Sequence, residues 1–293
     1  MLNMKRVLGL LFVIAISGCS KEDKPEPIVD VFKREPVIKP VSPSFPGEVS
    51  GMADSYSRPG FIWMLQDGGT PAELLTVSYN GEQGPTLPVT GADNQDWEDM
   101  AISNGPEAGK KYIYIGDIGD NNRLHDFYYI YRVEEPAAGA LQTAMADKFS
   151  FVYDDGQKHD ADAFLVDPAT NNIVIFTKEQ PALIFQISYP YSSVTTNIAV
   201  KTGQLQQTMI TGAAISPDGN EILLRTYASL YYWKRELGQT IFAALQQQAS
   251  EIAIISEPQA ESIGFKTDNN GFFTFSEKAG LPLQLNLYFY PRN

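Results

Sequence analysis

The stretch DWEDMAISNGPEAGKKYIYIGDIGDN, Asp96 to Asn121, carries the reading of the fold. It places Asp96, Glu98, Asp99, Asp117 and Asp120 around two short apolar runs. The runs are separated by SNGPEAGK, residues 103–110, whose Gly, Pro and Asn are turn chemistry. Strand, turn, strand is the local reading. The same unit recurs along the chain. Its first strand returns as EVSGMAD (48–54), DADAFLV (160–166), TGAAIS (211–216) and QAESIGF (259–265). Polar turns follow each, and then second strands FIWMLQD (61–67), YIYIGD (112–117), IVIFTK (173–178), ILLRTY (222–227) and FFTFSE (272–277). Third strands rich in aromatic and β-branched residues follow, such as FYYIYRV (127–133) and LYYWKR (230–235).

Aligning Ser50, Glu98, Asp162, Ala213 and Glu261 gives intervals of 48, 64, 51 and 48 residues. Four short strands in roughly 40–50 residues have the dimension of a β-propeller blade. Fourth strands fit at 85–90, 148–154, 197–203 and 251–257. The expected fold is therefore all-β, a propeller of five blades, with six left open by the long second interval. That interval holds AAGALQTAMAD, read either as an irregular extra sheet or as a short helix or loop at Ala137–Ala146. Glu236 to Gln248 has helical spacing at Ile241, Ala244 and Leu245 and reads as an inserted helix. The fifth copy ends after its third strand. An open strand edge invites aggregation, and EPVIKPV (35–41) has the pattern to cover it and close the ring.

The N-terminus gives an address. Lys5 and Arg6 precede an apolar run from Val7 to Ile16, which reads as a secretory signal over residues 1–18. Ile16-Ser17-Gly18-Cys19 resembles a bacterial lipobox, which implies a lipid on Cys19 and cleavage before it. Cys19 is the only cysteine, so no disulfide is expected. The following SKEDKPEP resembles a surface-export signal of bacterial lipoproteins, and reads equally as a solvated tether. Residues 19–34 are a Pro-containing spacer and 35–293 the propeller domain. The expected location is the outer membrane, on its periplasmic face or the cell surface. Without Lys5 and Arg6 the chain holds 20 basic and 35 acidic residues, a formal charge of −15. So acidic a chain repels phosphate backbones, which argues against nucleic acid as a partner.

In a propeller the first strand of each blade lines the central channel, so equivalent repeat positions meet in space. Glu48, Asp96, Glu98, Asp160, Asp162 and Glu261 are the first-strand candidates; Asp67, Asp117, Lys178, Tyr227 and Glu277, with Arg225 beside Tyr227, are the second-strand ones. Carboxylates gathered in a narrow channel stay charged only if a cation neutralises them. An all-oxygen set suits Ca²⁺ or Mg²⁺. Asp96, Glu98, Asp117, Asp120, Asp162 and Glu261 are the expected metal set, against the alternative that the acids pair with Lys178 and Arg225 and tie blades together. Chemistry of other kinds is less well supplied. There is no G-x-S-x-G and no phosphate loop. His125 and His159 are the only histidines, both read as surface residues, with His159 also within reach of the channel mouth. The crowded aromatics of the third strands read as packing between blades, with a saccharide platform as the alternative.

The series DWEDMA, YIYIGDIGDN, IYRVEEP, DADAFLVDP and IFTKE resembles bacterial secreted propellers of the TolB-like, phytase-esterase-like and SdiA-regulated kind. The resemblance spans Glu48 to the C-terminus. It implies calcium at the channel mouth and, by analogy with gluconolactonase-like propellers, Glu98, Asp162 and Glu261 as metal-facing residues. Ala213 departs from that pattern where an acid is expected. The functional expectation is a lipid-anchored binding or scaffolding module for an envelope protein, peptide or glycan. The alternative is a metal-dependent hydrolase acting on a lactone or phosphoester; whether the chain is an enzyme stays open.

Overall fold

The computed structural model describes residues 30–293. Cys19, the signal and most of the tether lie outside the described residues. The described residues form twenty strands and one short helix. A first strand, β1 (Val37–Pro40), precedes the repeat. The first copy is β2 (Val49–Asp54), β3 (Phe61–Gln66), β4 (Glu73–Ser78) and β5 (Leu87–Pro88). The second is β6 (Trp97–Ser103), β7 (Tyr112–Asp117), β8 (Tyr128–Glu134) and β9 (Asp147–Tyr153). Next come β10 (Ala163–Val166), β11 (Ile173–Phe176), β12 (Leu183–Ile187) and β13 (Asn197–Gln204). The fourth copy is β14 (Ile210–Ile215), β15 (Glu221–Thr226), β16 (Leu230–Lys234), α1 (Ile241–Leu245) and β17 (Ser250–Ile252). The last is β18 (Ala260–Phe265), β19 (Gly271–Ser276) and β20 (Asn286–Pro291).

Each copy is an antiparallel meander, the arrangement of a β-propeller blade. The second and third copies merge into an eight-stranded sheet because β9 and β13 pair in parallel. The first strands pack cyclically: β2 on β6, β6 on β10, β10 on β14, β14 on β18, and β18 back on β2. Small residues permit this close approach. A Cβ on Gly212 would meet the Glu261 carbonyl, and one on Gly51 would lie 2.7 Å from the Met100 amide.

Strand periodicity explains the core. Alternate residues of a strand point to opposite faces, and the second strands are buried on both. On β3, Ile62 and Met64 pack with Phe273 and Phe275 of β19, whereas Trp63 and Leu65 pack with Ile113 and Ile115 of β7. β7 then offers Tyr112 and Tyr114 to Ile173 and Ile175 of β11. β11 turns Val174 and Phe176 towards Ile222 and Leu224 of β15, and Leu223 of β15 meets Phe272 of β19. Apolar layers thus run from sheet to sheet until they return to the first.

β1 pairs antiparallel with β20, Val37 opposite Phe289, and covers the edge that the last copy leaves. Packing begins still earlier than residue 35. Phe32 is buried against Phe272, with ring centroids 4.8 Å apart, and bridges to Arg292. Residues 137–146 form neither an extra sheet nor a helix. They are a loop that covers the edge of the first sheet: the Thr143 amide donates to Pro88 O, the Ala146 amide to Thr90 O, and the Thr90 amide to Thr143 Oγ1. The long repeat interval is this edge cover. The inserted helix is shorter than its sequence pattern, starting at the Thr240 N-cap, whose hydroxyl accepts from the Ala243 amide. Among the described residues no helix is long and apolar enough to cross a membrane.

Candidate functional site

A recurring defect in the ladders builds the acidic end of the channel. In four first strands the register slips at one place: at Ser50 in β2, Glu98 in β6, Thr211 in β14, and Glu261–Ser262 in β18. Each slip is a β-bulge, which leaves a residue out of the ladder and re-aims its side chain. In the third copy Asp162 sits just ahead of β10. The bulges also correct the alignment of the fourth copy, where Thr211 and not Ala213 occupies the repeat position. Thr211 Oγ1 donates to Ala260 O of the next first strand, as Ser50 Oγ donates to Trp97 O. Two positions of the ring are therefore hydroxyls bound to the neighbouring strand, and three are carboxylates: Glu98, Asp162 and Glu261.

The second-strand ends join them through a repeated backbone bond. The amides of Asp67, Lys178 and Glu277 donate to the carbonyls of Glu48, Asp160 and Gln259, respectively. Asp67, Asp96 and Glu98 each present one carboxylate oxygen within 4.8 Å of the others. Asp67, read from sequence only as channel lining, thus joins Asp96 and Glu98 in one oxygen group. Two glycines make room for it. A Cβ on Gly68 would collide with Asp96 Oδ1, and one on Gly119 with Glu98 Oε1 and Asp96 Oδ2. Asp117 Oδ1 accepts from the Asp96 amide at 2.7 Å, while its Oδ2 is buried without a hydrogen-bond partner among the described residues.

Beside this group Lys178 forms an ion pair with Asp162 Oδ2, leaving Asp162 Oδ1 buried and without a hydrogen-bond partner among the described residues. Tyr227 donates its hydroxyl to Glu261 Oε1 at 3.2 Å, and the Lys178 ammonium lies 5.5 Å from the Tyr227 ring. Glu277 hydrogen-bonds Glu261, while its Oε1 is buried without a hydrogen-bond partner among the described residues.

The electrostatics follow from burial and crowding. Burial raises Asp96 and Asp117 to about 6, with Asp67 adding repulsion at Asp96. Burial, then Asp162, Asp67, Asp96 and Glu261, holds Glu98 well above the usual carboxylate range. Asp162 rises to about 8 through burial, against the pull of Lys178. Glu277 rises to about 9 through burial and then Glu261. Burial works against the charge on Lys178, yet Asp162 holds its pKa above the ordinary lysine value. Among the described residues the carboxyls outnumber the Lys178 and Lys148 ammonium groups that act on them, and protons or a cation must balance the rest.

Not every expected residue reaches this mouth. Arg225 does not line the channel. It is fully buried between the fourth and last sheets, donating to Glu257 and to the carbonyls of Ser262 and Phe275. Asp120 anchors its own loop instead of joining the oxygen group: it accepts from the amides of Leu124 and His125 and from the Tyr128 hydroxyl. Those donors hold its carboxyl below the usual range although burial opposes them. Asp160 Oδ1 accepts from the Asp120 amide and so pins the two loops together. His159 is no surface residue. It is 6% exposed, with Nδ1 2.8 Å from Glu179 Oε1 and Nε2 3.0 Å from Asp155 Oδ2. His125 is half-buried, its Nδ1 3.1 Å from Gly119 O. Asp99, in the opening stretch but outside the expected metal and channel sets, is fully buried on β6 and accepts from the amides of Met100 and Phe164. Its place in DWED next to Glu98 was the available signal, since neighbours on a strand face opposite ways. The aromatics read as packing are mostly that: Tyr128, Tyr131, Tyr232, Trp233 and Tyr290 are buried.

Further along the same first strands lies a second cavity of mixed lining, where Met52, Met100, Leu165, Ile215 and Ile263 meet Asp54, Tyr56, Lys111 and Thr267.

No family model and no curated protein matches the chain. Among solved structures it is similar to the WD40 repeats of RRP9, with a TM-score of 0.47 and 10% identity, covering 89% of this chain and 100% of that one. The cyclic packing of the first strands and of the apolar layers, not this likeness, carries the fold.

Proposed function

We propose that the chain is a five-bladed, lipid-anchored envelope propeller that acts as a binding or scaffolding module and holds a divalent cation at its acidic mouth. The observation that carries the reading is the convergence of Asp67, Asp96 and Glu98, one oxygen each within 4.8 Å, beside the Lys178–Asp162 ion pair. The donor set is all oxygen and hard, which suits Ca²⁺ or Mg²⁺ over thiophilic metals. Unpartnered Asp117 Oδ2 and Asp162 Oδ1 support it, because buried oxygens without donors are costly unless a ligand satisfies them. The blade count rests on five first strands in cyclic contact. Anchoring rests on the lipobox-like Ile16–Cys19, and the partner is an envelope protein, peptide or glycan.

One observation favours a second reading, hydrolysis of a lactone or phosphoester. Burial and then Glu261 hold the Glu277 carboxyl above its ordinary value, towards the protonated form that a general acid needs. A cation there would polarise the substrate oxygen. Glu98→Ala separates the two readings. The binding module loses its cation-dependent stabilisation and has no turnover to lose, while a hydrolase loses turnover on a lactone or phosphoester panel with the fold intact. Cys19→Ala tests anchoring: the protein should move from the membrane fraction to the soluble fraction, and an unchanged distribution would contradict it.

A further inference from the structure

Away from the channel, the outer strands of the third and fourth sheets border an open cleft of about 520 Å³. Its chemistry differs from that of the rest of the molecule. On a chain with a net charge of −13, the only charged residue lining it is Glu251, whose Oε1 already accepts from Ser229 Oγ at 2.8 Å. The polar walls are amides. Gln204, Gln206 and Gln207 come from the end of β13 and the turn after it, and Gln246 and Gln247 from the segment after α1. The floor is apolar, with Leu205, Leu245 and the half-buried ring of Tyr231.

The amide walls are held in place. Trp233 Nε1 donates to Gln247 O at 3.0 Å, tying the segment after α1 to the sheet. Gln246 Nε2 donates to Gln204 O at 3.3 Å, joining the two walls. Gln248, which also lines the cleft, has a partner, whereas the side chains of Gln204, Gln206, Gln207 and Gln247 make no hydrogen bond within the described residues and can bind a ligand. An amide offers a carbonyl acceptor and NH donors side by side. Such a set matches a ligand whose groups both donate and accept, and gives no counter-charge to an ion. The half-buried Tyr231 ring matches a flat C–H face.

We infer that this cleft is a binding site for a neutral oligosaccharide, with the glutamine amides reading its hydroxyls and Tyr231 supporting a sugar face. The site is built from outer strands and α1, whereas the acidic mouth is built from first and second strands. It therefore goes beyond the cation reading and stands or falls separately from it.

Calorimetric titration of the full chain with maltohexaose, cellohexaose, xylohexaose and mannohexaose tests this, with hexagalacturonate as the charged control. At least one neutral hexaose should bind saturably, and hexagalacturonate should not. Gln206→Ala and Tyr231→Ala should each weaken binding about tenfold, the value of one lost hydrogen bond or packing face. Gln206 is exposed, so its variant tests the site without disturbing the core. Binding should persist in Glu98→Ala, which separates this site from the mouth. Absence of binding by all four neutral hexaoses at millimolar concentration, stronger binding of hexagalacturonate, or full affinity in both variants would overturn the assignment.

Discussion

Arg225 Nη2 lies 2.8 Å from Glu257 Oε1, and neither side chain has any solvent exposure. The pair joins the fourth sheet to the last, and Thr274 Oγ1 adds a donor to the same glutamate oxygen at 2.7 Å. A buried charge that loses its partner is far more costly than a pair replaced together. Arg225→Met alone should therefore cost about 3–5 kcal/mol of unfolding free energy. The double change Arg225→Met with Glu257→Met should recover most of that loss. Urea unfolding of the two variants checks it; equal losses would place the pair's role elsewhere.

Phe32 precedes the repeat yet sits among rings of the last two sheets, its centroid 4.8 Å from Phe272 and 6.2 Å from Tyr232. Phe32→Ala should cost about 3–5 kcal/mol, as for other buried aromatics. Leu141→Ala, at an 87% exposed position in the edge-covering loop, should stay within about 0.5 kcal/mol. Matching unfolding curves for the two variants would show that the chain before β1 contributes nothing.

Gly119→Ala addresses the oxygen group without removing a carboxylate. Its new methyl would press on Glu98 Oε1 and Asp96 Oδ2. The expected outcome is a loss of at least about tenfold in Ca²⁺ affinity, equivalent to about 1.4 kcal/mol, with the far-ultraviolet dichroism of the native sheet retained. Isothermal titration with Ca²⁺ measures this directly, and unchanged affinity would remove Glu98 and Asp96 from the cation site.

The architecture was legible because strand alternation and turn chemistry are local. FIWMLQ and YIYIGD show in sequence that both faces of a second strand are apolar, and β1 was visible as a strand in search of an edge. The bulges were not legible. A single unpaired residue leaves no mark on composition, so the fourth copy was aligned on Ala213 when Thr211 holds the position. Partners far apart in the chain were equally hidden. Nothing around Arg225 announces Glu257, and nothing around Asp120 shows that its loop folds back to consume its oxygens. Asp67 was placed in the channel, but its approach to Asp96 and Glu98 depends on how neighbouring sheets are set against each other.

The titration of the mouth gives a signed prediction. Asp96 and Asp117 rise to about 6, Asp162 to about 8 and Glu277 to about 9, all above their unfolded values near 4. The folded state then holds more protons than the unfolded chain, so this contribution to stability is full at acid pH and is lost as pH rises through those folded values. Carboxyls held low by donors, such as Asp120 and Asp167, act oppositely, but below about pH 4. In chelator, the melting temperature should fall between about pH 5 and pH 9. Saturating Ca²⁺ should flatten the slope by taking the place of the protons. A melting temperature that climbs across this window in chelator would contradict the crowded, cation-free mouth.

The most direct measurement is thermal unfolding of the full chain at neutral pH, in chelator and then with increasing Ca²⁺ or Mg²⁺. A ligand that binds only the folded state raises the midpoint with its concentration. The expected result is a saturable, ion-selective rise that disappears in Glu98→Ala. A midpoint that does not respond at millimolar ion, or that rises equally in wild type and Glu98→Ala, would contradict a cation held by Asp67, Asp96 and Glu98.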